Sequence, residues 1–91
     1  MSVGRMRAVT LLEGLTATQK SVLFVLADFE DDSTGMCFPK LETIARCSGC
    51  CKKTAHSAIA ELMSKGLLER RRQGMIGRIT SNQYIFKFDE V

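Results

Sequence analysis

Apolar residues recur along the chain in two periods, and the change from one to the other locates the main elements. Val22, Leu23, Leu26 and Phe29 fall at helical spacing after Leu15-Thr16-Ala17-Thr18-Gln19, which predicts a first helix with one inward stripe. Thr16 with Gln19 three positions on fits a capping box, in which each side chain satisfies an orphan backbone donor at the helix start. A short second helix is expected with Pro39 in its first turn, where the missing N–H costs nothing. Leu41, Ile44 and Ala45 give it an inward face, and Ser48-Gly49 stops it, because glycine accepts the left-handed backbone of a tight turn. A third helix over about 51–65 buries Ala55, Ala58, Ile59 and Leu62 and ends at Gly66. Its opposite face carries Lys53, His56, Ser57 and Ala60.

From residue 67 the period shortens. Ile79, Tyr84, Phe86 and Phe88 favour strands, and Gly74 and Gly77 bracket a turn. Tyr84, Phe86 and Phe88 alternate with Ile85 and Lys87, so the aromatic face is expected to lie on the helices. Residues 30–35 read as a solvated acidic loop. The expected core joins Leu23, Leu26, Phe29, Ile44, Ile59, Leu62, Leu67 and Tyr84. Two short helices about a glycine turn, followed by a hairpin, form a helix-turn-helix pattern with a wing.

With 91 residues the chain is bounded to one domain over 1–91. Within it, 1–14 reads as a basic, partly apolar arm, 39–65 as the helix-turn-helix and 67–88 as the hairpin. The formal charge is only +3, but it is unevenly spread. Residues 1–45 hold four basic and six acidic side chains, whereas residues 46–88 hold nine basic ones against Glu61 and Glu69. One-sided basicity of this kind is the footprint expected where phosphates are met, although a solubilising face has the same look.

The longest apolar run, residues 22–27, is far shorter than the roughly 20 residues of a membrane span. Arg5 and Arg7 precede an apolar stretch over 8–12 that Glu13 closes too early for a secretory signal. The expectation is a cytoplasmic chain with no membrane partner. Cys47, Cys50 and Cys51 crowd into five positions, which suits no disulfide framework. Cys47-x-x-Cys50 has a zinc-like spacing but no second paired knuckle, so no metal is expected and plain thiols are favoured over a redox pair. His56 is the only histidine, and neither a nucleophile–base–orienter set nor a phosphate-cradling glycine loop appears. No catalysis, cofactor or small-molecule substrate is expected.

Several segments together resemble one family. These are residues 15–28, Cys37-Phe38-Pro39 with Leu41-Glu42-Thr43-Ile44-Ala45, residues 49–54, residues 61–71, and Ser81-Asn82-Gln83-Tyr84. In order and spacing they are similar to the winged helix-turn-helix family of phage and plasmid replication proteins and small bacterial transcriptional regulators. The resemblance covers about the last three quarters of the chain. Cys50 and Cys51 depart from it, standing where the family usually has a small aliphatic and a hydroxyl cap. Cys50 can fill its slot as a small hydrophobe, whereas Cys51 is a poor cap, a loss on the order of 1 kcal/mol. Ala55 replaces a commonly β-branched core residue.

The resemblance implies a mainly α member of the α/β class, with a three-helix core followed by a β-hairpin wing. It implies double-stranded DNA as partner, with the third helix in the major groove. Lys53, His56 and Ser57 would then face bases, with Lys52 and Thr54 at the helix start. Arg70, Arg71, Arg72 and Arg78 would line the wing, though neighbours on a strand face opposite ways and one stem is expected to cover the sheet. The expected role is a small transcriptional regulator, which would be a homodimer if its DNA motif is two-fold. The alternatives are a replication-initiation component, or a protein–protein adaptor, since fold does not fix function.

Overall fold

The computed structural model describes residues 3–30, 36–37, 39–75 and 78–89. In chain order they form α1 (Val3–Leu11), α2 (Ala17–Asp28), β1 (Met36–Cys37), α3 (Leu41–Ser48), α4 (Lys52–Ser64), β2 (Leu68–Met75) and β3 (Arg78–Phe86). The architecture is a winged helix-turn-helix, mainly helical with a small antiparallel sheet.

Local sequence signals account for α2 and the α3–α4 turn. The Thr16 hydroxyl accepts from the Gln19 N–H at 3.1 Å, and the Gln19 side-chain oxygen accepts from the Thr16 N–H at 3.1 Å, completing the capping box. Gly49 closes α3 with φ 75°, while the Cys50 N–H donates to the Ala45 carbonyl and the Gly49 N–H to the Arg46 carbonyl. Gly66 repeats this after α4, with φ 75° and the Leu67 N–H donating to the Leu62 carbonyl. Both ends are Schellman closures, which need a residue without a Cβ penalty at the left-handed position. Cys51 precedes α4 in extended conformation and makes no side-chain cap to its backbone, as a thiol in place of a hydroxyl suggests.

The core joins Val22, Leu23 and Leu26 of α2, Ile44 of α3, Ile59 and Leu62 of α4, and Tyr84 of β3, all essentially inaccessible to solvent. Leu68 and Phe86 face each other across β2 and β3 and are buried with them, so the aromatic side of the hairpin does lie on the helices.

Six expectations need correction. The stretch read as an arm over 1–14 contains α1, so the core has four helices. Val9 is fully buried, and Arg5 reaches across the molecule. Its Nε lies 3.0 Å from the Glu30 carboxylate, its guanidinium sits 4.8 Å over the Phe86 ring, and it donates to the Phe88 carbonyl. Consequently Glu30 is buried rather than solvated; the loop expected after it, residues 31–35, lies outside the described residues. Phe29 caps α2 in right-handed helical conformation, its N–H still bonded to the Val25 carbonyl, yet it is 42% exposed: roughly a third to nearly half a turn around the helix from Leu23 and Ala27, it lies at the edge of the buried stripe rather than in it. Pro39 precedes α3 by two positions, and Lys40 takes the cap. The sheet has a third strand: β1 pairs with β3 through Met36↔Ile85 and Cys37↔Tyr84, giving the order β1-β3-β2. Gly74 lies within β2 at a register shift, whereas Gly77 is outside the described residues.

Candidate nucleic-acid interface

The two Schellman turns fix the ends of α4, and Ala55, Ala58, Ile59 and Leu62 fix its rotation by pointing into the core. Everything on the far side is therefore presented outward. Lys53, Thr54, His56 and Ser57 are all exposed there. Lys53 and Ser57, one helical turn apart, share the middle of the face, with His56 on one flank and Thr54 on the other.

Lys52 is positioned differently. It points toward α3, where its ammonium lies 3.1 Å from the Glu42 carboxylate. The hydrogen bond from Lys52, and then its charge, hold the Glu42 carboxyl below the usual range. Both side chains are exposed, so the pair marks where Lys52 rests more than it braces the fold.

On the hairpin the alternation separates the arginines. Arg70 lies on the strand face of Leu68, opposite Tyr84, whereas Arg71 lies on the face of Glu69, opposite Gln83. Arg70 and Arg71 are exposed. Arg71 Nε is 3.0 Å from Glu69, whose other oxygen lies 3.5 Å from the Lys87 ammonium. Bonding from Arg71 and its charge lower the Glu69 carboxyl. Arg72 and Arg78 are placed on β2 and β3, but their side chains lie outside the described residues.

The face has a second wall that the residue types along α4 do not reveal. A cleft beside α4 is lined by Lys53, Thr54, Ser57 and Glu61 on one side and by Thr16, Thr18 and Gln19 at the start of α2 on the other. Buried Gln19 donates to Glu61 at 2.8 Å, while Lys65 donates to Gln19 at 3.2 Å and to the Gly14 carbonyl at 2.8 Å. This network pins α4 to the first turn of α2. Nothing local in the sequence links Glu61 to Gln19, 42 positions away.

Among the described residues no three histidine, cysteine or acidic side chains converge as a metal site. Cys37 is buried, Cys50 half-buried against the core, and Cys47 and Cys51 exposed, all as free thiols. Cys51 shares a 3.2 Å hydrogen bond with the Thr54 hydroxyl, which lowers its pKa. No described helix is long and apolar enough to cross a membrane.

An exposed polar helix set by a tight turn on a four-helix scaffold, with a hairpin beside it, defines the helix-turn-helix class. Residues 13–68 match the family model described as a helix-turn-helix domain, and the chain belongs to that family. The match stops short of α1 and of most of the hairpin. The chain is also 43% identical over 63 residues, 67% of its length, to Protein YmfN of Escherichia coli (strain K12). It spans 14% of the length of that relative. No solved structure matches it.

Proposed function

We propose that this chain binds double-stranded DNA sequence-specifically, without catalysis, and that its role is transcriptional regulation. The observation that carries this reading is the outward face of α4, where Lys53, Thr54, His56 and Ser57 are exposed together and no large apolar side chain joins them. A helix of this diameter fits the major groove, where lysine donates to guanine acceptors and hydroxyls serve either partner of a base pair. Exposed Arg70 and Arg71 on the hairpin supply sequence-independent attraction to phosphates. An adaptor would need an apolar face on α4, which is absent among its described side chains. The regulatory role, in preference to replication initiation, rests on the family resemblance.

Selection of bound duplexes from a random pool, followed by titration of the preferred and scrambled sites at several salt concentrations, tests this. Lys53→Ala should lose about 1–3 kcal/mol mainly on the preferred site. Arg71→Ala should weaken both sites alike and reduce the log–log salt slope by roughly one. No enrichment from the pool refutes the proposal; loss of sequence preference in Arg71→Ala alone makes the hairpin the reader.

A further inference from the structure

We infer, on the reading of α4 as the base-facing helix, that Glu61 reads cytosine: one oxygen of its carboxylate accepts from the N4 amino group of that base in the major groove. Glu61 is exposed and lines the cleft beside α4 together with Lys53 and Ser57, which stand about two turns and one turn before it on the same stripe. Unlike them, it is held from behind. The Gln19 amide oxygen accepts from the Thr16 N–H at 3.1 Å and from the Lys65 ammonium at 3.2 Å, so the amide nitrogen is the end that faces Glu61. That nitrogen donates to Glu61 Oε2 at 2.8 Å. Gln19 is only 2% exposed, and Lys65 is anchored in turn on the Gly14 carbonyl at 2.8 Å. A buried amide thus aims the carboxylate, and among the described residues no donor reaches its Oε1 and no cation pairs with it.

A brace between α2 and α4 needs an acceptor at this place but not a charge. On a face that meets DNA, a fixed negative charge is repelled by every phosphate, and only a donor on a base offsets that cost. The donors that the major groove offers are the N4 amino group of cytosine and the N6 amino group of adenine. Adenine sets its N7 acceptor beside the amino group, against a carboxylate that can only accept, whereas cytosine presents N4 without an acceptor on its own edge. Lys53 has the opposite character, three donors and no acceptor, and suits guanine. At about 1.5 Å per residue, Lys53 and Glu61 stand about 12 Å apart along α4. That is several times the roughly 3.4 Å between base pairs, so the two side chains meet different pairs. Donor at one end and acceptor at the other give the bound site a direction.

Selection from a random duplex pool with the full chain, run in parallel for Glu61→Gln and Glu61→Asp, tests this. The wild type should prefer cytosine at one position by about 10-fold, as a hydrogen bond to a charged group allows. In Glu61→Gln the Gln19 nitrogen still claims the oxygen, so the new amide nitrogen faces the groove. That position alone should change to a base presenting an acceptor, guanine or thymine. Glu61→Gln keeps the acceptor that Gln19 needs and should melt with the wild type. Glu61→Asp keeps the charge but withdraws it by one methylene, so the cytosine preference should vanish with no other base gained. A wild-type motif without a required C·G pair, or one unchanged at every position in both variants, overturns the inference and leaves DNA binding standing, with Glu61 a brace alone. No motif from the wild type overturns both readings.

Discussion

Arg5 and Glu30 give the sharpest test of how α1 is held. The Arg5 side chain is 13% exposed and that of Glu30 3%, with 3.0 Å between nitrogen and oxygen. Arg5 also lies over the Phe86 and Phe88 rings at 4.8 and 5.4 Å. Arg5→Met keeps the aliphatic stem on those rings and removes the charge, leaving the Glu30 carboxylate buried without its cation. Removing one partner of a buried pair costs about 3–5 kcal/mol, much of it the stranded charge. The lower end, about 3 kcal/mol, is expected because the methionine retains the stem contacts. Glu30→Gln should cost less, about 2 kcal/mol, since the more exposed Arg5 can turn partly to water. In Arg5→Met/Glu30→Gln neither charge is stranded, so the double variant should be more stable than the two single losses sum to, by at least about 1 kcal/mol. Urea denaturation of the four proteins supplies the cycle. Additive losses, or an Arg5→Met cost below about 1 kcal/mol, would show that α1 is held by Val9 and its neighbours alone.

Leu62→Ala should cost about 2–5 kcal/mol in the same assay, as truncation of a fully buried leucine at the centre of α4; an unchanged midpoint would mean that α4 is rotated. Thr16→Ala should cost about 1 kcal/mol by opening the capping box, read as a lower melting temperature. Burial, with the charge of Glu30 adding and that of Arg5 opposing, pushes the Cys37 thiol up from 9.0 to about 12. Its folded value thus exceeds its unfolded one, so its contribution is intact below pH 9 and drains away toward pH 12. Between pH 8 and pH 10.5 the native chain should lose about 2 kcal/mol more than Cys37→Ala; equal losses would place the alkaline sensitivity elsewhere.

Features encoded by near neighbours were legible from the residues alone. Thr16 and Gln19 start α2, Gly49 and Gly66 end α3 and α4, and alternation in Tyr84 and Phe86 identifies the buried side of the hairpin. The outward position of Lys53, His56 and Ser57 followed from the inward position of Ala55, Ile59 and Leu62. What escaped depends on partners far along the chain. No start signal or wide apolar stripe marks α1; it is held by Val9 in the core and by Arg5 on Glu30, 25 positions away. No local feature of the acidic run at Glu30 foretells that the Glu30 carboxylate is buried. β1 is two residues long, too short for any period to show. The cleft between Lys53 and Thr18 likewise exists only once α2 and α4 have met.

The closure at Gly66 has a mechanical consequence. Only Lys65, Gly66 and Leu67 separate α4 from β2, and the Leu67 carbonyl is taken by the Lys87 N–H at 2.9 Å. The linker thus has little slack, and α4 and the base of the hairpin are held at a set offset, like the jaws of a caliper. On a duplex such an instrument spends little entropy on ordering itself. Under the proposed DNA reading it would also gauge the offset between groove floor and sugar–phosphate ridge, so that a site of correct sequence but altered groove width would be held less tightly.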